Sequence, residues 1–257
     1  MSKRVSYNVR LVSNISATPR RKRKFPPATS AVRGFLTLKE GTSPVPYQSD
    51  LERKFLIMCA CLPWVQDVVW EPMTIKFHDD LADLDRSYTP DFKVDYQNGE
   101  GHLLSVIIET KRMQDYRRTT GYMGPCYQAA HLLAEQQGMR FEYVSDEWLQ
   151  SVGIANFEFI YQARKGALPA RERSELVKEL LNQSGLTMGT AIFLLNAKGI
   201  ADPNVATATL MALVSDGYIG FAMPETLSLE TRLYAEPIEN PFAASIFPSA
   251  PWRKSEV

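Results

Sequence analysis

The stretch from Tyr88 to Lys111 constrains this chain most. It reads Y-T-P-D-F-K-V-D-Y, then Q-N-G-E-G-H, then L-L-S-V-I-I-E-T-K. Phe92, Val94 and Tyr96 alternate with Asp91, Lys93 and Asp95, and that period of two predicts a strand. Asn98-Gly99 is a hairpin turn signal. Leu103 to Ile108 is apolar on both faces, as in a strand covered on both sides. Such a hairpin puts Glu109 and Lys111 on one face, with Asp91 at the same end of the partner strand. Two carboxylates and one ammonium then converge at one rim of a sheet.

A hard divalent cation such as Mg²⁺ prefers oxygen ligands and keeps several waters. Asp91 and Glu109 supply carboxylates, and the Thr110 carbonyl a third oxygen. The ion acidifies water near neutral pH, and Lys111 can orient that nucleophile and offset charge on a phosphate in flight. A plainer reading is a surface hairpin whose end carries an ion pair worth ~0–1 kcal/mol.

Elsewhere the charge is balanced, with 29 basic and 29 acidic residues, so the chain as a whole does not steer toward DNA. Its distribution is uneven: residues 1–36 hold nine Lys or Arg and no Asp or Glu. Arg20, Arg21, Lys22, Arg23 and Lys24 form a basic arm suited to nucleic acid backbones. Cys59, Cys61 and Cys126 lack zinc spacing and read as buried residues of a reducing compartment. No run approaches the ~20 apolar residues of a membrane span, and no signal peptide opens the sequence, so a cytoplasmic protein is expected.

Along the chain, Gly34 to Lys39 reads as a strand-like run, followed by a Glu40-Gly41 turn and Val45-Pro46-Tyr47. Ser49-x-x-Glu52 is a capping box opening a helix to about Leu62. Glu52 falls on that helix's apolar stripe with Phe55, Leu56 and Cys59, an odd place for a carboxylate unless something cationic meets it. Trp64 to Phe77 reads as a strand broken at Pro72, and His78 to Arg86 as an acidic loop. Arg112 to Gly124 reads as a loop whose Arg112, Arg117 and Arg118 position phosphates. Pro125 fits the first turn of the next helix and Gly138 its C-terminal cap, followed by a strand over Met139 to Val144 and a short helix from Asp146. Beyond Gly166, residues 170–183, 187–198 and 203–215 read as three helices and Tyr218 to Phe221 as a strand, a winged-helix pattern. The helix over 203–215 carries no Lys or Arg, which favours protein docking over groove reading. The expected divisions are a flexible arm (1–30), a catalytic domain (31–165), a winged-helix-like domain (166–235) and a Pro-rich tail (236–257).

Ser49-x-Leu51-Glu52, Thr89-Pro90-Asp91-Phe92 and Ile108-Glu109-Thr110-Lys111, in that order, resemble the TnsA family. These are the endonuclease subunits of heteromeric cut-and-paste transposases, including CRISPR-associated transposons. The resemblance spans roughly residues 31–235. It implies an α/β fold: a restriction-endonuclease-like PD-(D/E)xK domain followed by an all-α winged-helix-type domain. It also implies that Glu52, Asp91 and Glu109 bind Mg²⁺ (or Mn²⁺) and that Lys111 assists the attacking water. The substrate would be double-stranded DNA at transposon ends, nicked on the 5′ strands. The implied partners are a DDE-type transposase (TnsB-like), which cuts and joins the 3′ strands, and an AAA+ ATPase (TnsC-like) docking on the C-terminal region. The alternatives are a free-standing restriction or repair nuclease and a non-catalytic scaffold that binds DNA or protein.

Overall fold

The computed structural model describes residues 7–12, 32–39, 41–181, 185–200, 202–223 and 225–242. The basic run Arg20 to Lys24 and the end of the tail lie outside them. The molecule is a mixed α/β structure. Its short elements open the chain: β1 (Val9–Leu11), β2 (Gly34–Leu36) and β3 (Val45–Tyr47), the last two an antiparallel pair. Helix α1 (Asp50–Cys61) follows, then β4 (Val65–Trp70), β5 (Ile75–Asp79), β6 (Leu84–Tyr88), β7 (Phe92–Gln97) and β8 (Leu103–Thr110). Helix α2 (Met113–Gln136) returns the chain to β9 (Arg140–Val144), which is followed by α3 (Asp146–Ser151) and α4 (Ile154–Ala163). After a 3-10 turn at Arg164–Gly166 come α5 (Ala170–Leu181), α6 (Met188–Ala197) and α7 (Pro203–Ser215).

The central sheet has the order β4-β7-β8-β9, antiparallel except for the parallel β8–β9 pair. That pair requires a crossover, which α2 supplies. Strand β8 shows why the sheet is central. Val106 and Ile108 join the core on one face with α1, while Ile107 joins a second core on the other face with Tyr127, Leu133, Phe141 and Tyr143. Coverage on both sides holds only for its second half; Leu103 is 64% exposed. In β7 the expected alternation is present, with Phe92, Val94 and Tyr96 buried and Lys93 and Asp95 half-buried. The β7–β8 turn is a five-residue loop. Asn98 Oδ1 accepts from the amides of Glu100 and His102, and Gly101, not Gly99, takes the positive φ of 83°.

Several elements differ from the sequence reading. Trp64 to Phe77 divides between two sheets, β4 in the central one and β5 in a second of order β1-β5-β6. In His78 to Arg86 only residues 80–83 form the turn; the two ends are strand, since β6 pairs with β5 from Ile75↔Tyr88 to Asp79↔Leu84 and pairing overrides the acidic composition. Arg112 to Gly124 is not a loop. Helix α2 begins at Met113 and carries Pro125 inside it, where the ring leaves the Gly121 carbonyl without its usual i+4 donor. Gly138 does end that helix, at φ 67°.

The C-terminal helices share the core of the sheet. One continuous cluster runs from Leu36 and Phe55 through Ile108 and Phe157 to Leu210, Val214 and Phe242. Helix α7 lies inside it, with Ala206 and Ala208 to Ser215 all buried. Tyr218 to Phe221 makes a single bridge, Gly220↔Tyr234, and not a strand. Residues 237–242 are no free tail: Phe242 is fully buried between Phe55 and Tyr96, and the Trp64 indole donates to the Ile238 carbonyl at 3.0 Å. Nor is the start of the chain all arm, because β1 pairs with β5 and Tyr7 packs against Gly124 of α2. Cys59, Cys61 and Cys126 are buried thiols, and burial pushes Cys61 to about 12 and Cys126 to about 11.

Candidate functional site

Strands β7 and β8 are in register from Phe92↔Ile108 to Gln97↔Leu103. Asp91, just before β7, and Glu109, near the end of β8, therefore meet at one rim. Register alone would leave both carboxylates free to rotate, and neighbouring groups fix them. Asp91 Oδ2 accepts from the Thr110 amide and the Thr110 hydroxyl, both at 2.8 Å. Glu109 Oε2 accepts from the buried Tyr88 hydroxyl at 2.5 Å. Among the described residues, Asp91 Oδ1 and Glu109 Oε1 accept no hydrogen bond, so each carboxylate has one anchored and one uncommitted oxygen.

Glu52 arrives from the first turn of α1 and is buried, at 8% exposure. The capping box forms in modified form. The Ser49 hydroxyl accepts from the Glu52 amide, but the Glu52 carboxylate turns to the Ser49 hydroxyl (3.0 Å) and the Gln48 amide (2.8 Å), bypassing the Ser49 amide. Both its oxygens are thus engaged by the cap.

The four expected residues share one electrostatic environment. Burial first and Asp91 second push Glu52 up to about 7. Burial likewise raises Asp91 to about 6, against the Thr110 hydrogen bonds and the Lys111 charge, which lower it. Glu109 is held well above the usual carboxylate range by burial and by Asp91, with Lys111 opposing and Glu52 adding. Lys111 is half-buried, and among the described residues its ammonium forms no hydrogen bond or ion pair. Like charges withdrawn from water disfavour ionisation, and a cation between them reverses that.

The donor set fits Mg²⁺ in its usual protein mode. Among the described residues no group of three or more His, Cys, Asp or Glu side chains is arranged to hold a metal. Mg²⁺ is commonly held by only one or two carboxylates, with waters and substrate phosphates completing its shell. Asp91 and Glu109 each present a spare oxygen of that kind. Thr110, expected to offer its carbonyl, contributes its amide and hydroxyl as the device that orients Asp91.

Two site residues were missed in the sequence. Tyr88 was seen only as the start of the hairpin stretch, yet its hydroxyl fixes Glu109. Glu71 was read as a break before Pro72. It adopts φ 44°, in the left-handed region, with its amide donating to the Asp91 carbonyl at 2.7 Å, and its charge raises both Asp91 and Glu52. A residue before proline normally stays extended, so only the dipeptide Glu71-Pro72 hinted at an unusual backbone.

The three arginines are spread along the start of α2. Arg112 is its N-cap residue, and Arg117 and Arg118 are exposed, with long contacts to Glu147 (3.9 Å) and Asp115 (3.5 Å). Tyr116 of the same segment is core, stacked near Tyr127 and Tyr143. No helix among the described residues is long and apolar enough to cross a membrane. No protein-family model matches this sequence, and no curated protein matches it.

Proposed function

We propose that this chain is a Mg²⁺-dependent DNA endonuclease of the restriction-endonuclease-like PD-(D/E)xK type. In this reading it nicks the 5′ strands at transposon ends as the TnsA-like subunit of a heteromeric transposase. The supporting observation is the rim itself: Asp91 and Glu109, each with one oxygen anchored and one free, beside Lys111, whose ammonium forms no direct ion pair among the described residues. When bound there, Mg²⁺ supplies positive charge opposite a phosphate oxygen and lowers the pKa of water. The protein's own groups do the rest. Thr110 and Tyr88 hold the two carboxylates in place. Lys111 offsets charge developing on the phosphate and orients the attacking water. Arg112, the N-cap of the helix that starts two residues after Lys111, and Arg117 and Arg118 in its first turns grip neighbouring phosphates. Glu52, its oxygens engaged by the cap, would add negative charge toward a bound cation from the side of α1. The C-terminal helices are read as a winged-helix-type module that serves docking of an AAA+ regulator, since α7 carries no Lys or Arg for reading a groove.

The test is strand-resolved cleavage of a labelled transposon-end duplex, with the chain alone and with a DDE-type transposase and an AAA+ ATPase of the kind this reading implies. Nicks on the 5′ strands that require Mg²⁺ and the partners support the reading. Cleavage by the chain alone favours a free-standing nuclease. Full 3′ joining with no 5′ nick in any Mg²⁺ or Mn²⁺ condition leaves a scaffold.

A further inference from the structure

Away from the carboxylate rim, a recess of about 900 Å³ opens where the end of α1, the 3-10 turn, the start of α5 and the end of α7 meet. Ala60 on its wall stands two helical turns beyond Glu52, ~12 Å along α1. Four cations line it, Lys39, Arg164, Lys165 and Arg173, against one carboxylate, Asp216. Arg173 already engages Asp216 at 2.7 Å.

The other three cations meet only neutral partners. Arg164 donates to the carbonyls of Ala60 (2.5 Å) and Leu38 (3.0 Å) and to the Ser215 hydroxyl (2.6 Å). Lys39 donates to the Val65 carbonyl at 2.5 Å. Lys165 donates to Gln162 at 3.2 Å and stands 4.9 Å over the Tyr161 ring. Among the described residues none of these three lies within ion-pair distance of a carboxylate. Lys39 and Arg164 are both half-buried. Burial first, and the Arg164 charge second, depress the Lys39 ammonium. Two partly desolvated cations side by side attract an anion far more strongly than surface lysines do.

Shape and lining select the kind of anion. A duplex presents its phosphates on a broad convex surface, which reaches exposed Lys165 but not the half-buried Lys39. The walls between the cations are apolar, including Ala60, Pro63, Leu168 and Ala212. A peptide carrying both carboxylates and small aliphatic side chains satisfies both sets. The chain's own ends do not supply one: residues 1–36 hold no Asp or Glu, and residues 243–257 hold a single acidic side chain, Glu256, beside Arg253 and Lys254. We propose that this recess docks an acidic, aliphatic-rich segment of a partner protein, its carboxylates reaching Lys39, Arg164 and Lys165. This does not rest on the nuclease reading.

The test titrates the ¹⁵N-labelled full chain with a synthetic peptide of alternating Glu and Leu, about eight residues long. The same peptide with Lys for Glu and a short DNA duplex serve as comparisons. Amide signals of Ala60, Ala167 and Ala212 should shift with the acidic peptide alone. Lys165→Glu should weaken its binding about tenfold, and Lys39→Met by a similar factor. Lys165 is exposed, so its variant keeps the test valid if Lys39→Met disturbs the fold. No shift up to millimolar peptide, binding indifferent to Lys165→Glu, or equal binding of the Lys peptide overturns the proposal. Duplex DNA shifting the same signals also overturns it and assigns the recess to nucleic acid. DNA cleavage is not read in this titration, so its outcome is separate from that of the nuclease reading.

Discussion

The rim at Asp91 and the junction at Arg164 both crowd charges of one sign, and they are built in opposite ways. At the rim each of Asp91 and Glu109 is held by one oxygen only, and burial leaves the carboxylates straining toward protonation. At the junction Arg164 is engaged by the Ala60 carbonyl at the end of α1, the Leu38 carbonyl after β2, and Ser215 of α7. A cation at a helix C-terminus also meets the negative end of the helix dipole. At the rim the crowded charges keep open oxygens, whereas at the junction Arg164 is tied into the fold and Lys39 and Lys165 stand beside it on neutral partners.

The largest effect should come from the rim. Asp91→Ala should cut 5′-strand cleavage by about 10³-fold or more, ~4 kcal/mol in the barrier, with 3′ joining and melting temperature retained. A collapse in melting temperature would make the rim structural and end the contrast. Arg164→Met should do the reverse. It leaves the Leu38 carbonyl without its donor and the Ala60 carbonyl with only the Ser215 hydroxyl at 3.4 Å, and urea unfolding should show a loss of about 1–3 kcal/mol, with cleavage per folded molecule unchanged.

The pH dependence separates the two regions further. Folded-state values of about 6 for Asp91 and about 7 for Glu52 lie above those of unfolded carboxylates. Such groups add stability below about pH 4 that is lost as pH rises through 6 and 7. Without Mg²⁺, Asp91→Asn should thus be more stable than the parent at pH 8 by about 1 kcal/mol, allowing for partial solvent access, and equal to it at pH 4. Mg²⁺ should raise the parent's melting temperature more at pH 8 than at pH 5. Smaller again, Glu52→Gln retains an acceptor for the cap and should slow cleavage about tenfold; an unchanged rate would leave Glu52 a cap alone. Arg117→Ala and Arg118→Ala should each weaken duplex binding a few-fold and lower the salt slope by about 1, as measured by anisotropy.

How much of this was legible in the sequence follows from the range of the interactions. Helix α1 and its Ser49 cap were readable because the signal lies within four residues. The β7 alternation and the meeting of Asp91 with Glu109 were readable because one short hairpin carries both. Strand β6 was not, since its register comes from β5 and its own residues are mostly acidic or exposed. Pro125 reads locally as a helix start, yet α2 runs through it, because its missing donor costs less than the packing of Tyr116, Tyr127 and Ala130 recovers. Helix α4 and the burial of Phe242 went unseen because both depend on partners more than eighty residues away, Phe55 and Tyr96 for Phe242 and α1 for α4. In the site, Glu71 and Tyr88 needed backbone geometry and a cross-sheet hydrogen bond that no local motif encodes.

Strand β1 changes how the basic run can be probed. Cutting the chain at residue 30 would strip away the strand that flanks β5 as well as the lysines and arginines. It would bare a row of unsatisfied amides and carbonyls and uncover Gly124, inviting self-association that mimics a defect in nucleic acid binding. Neutralising Arg20 to Lys24 in place, with glutamines, keeps that sheet edge closed and isolates the effect of charge.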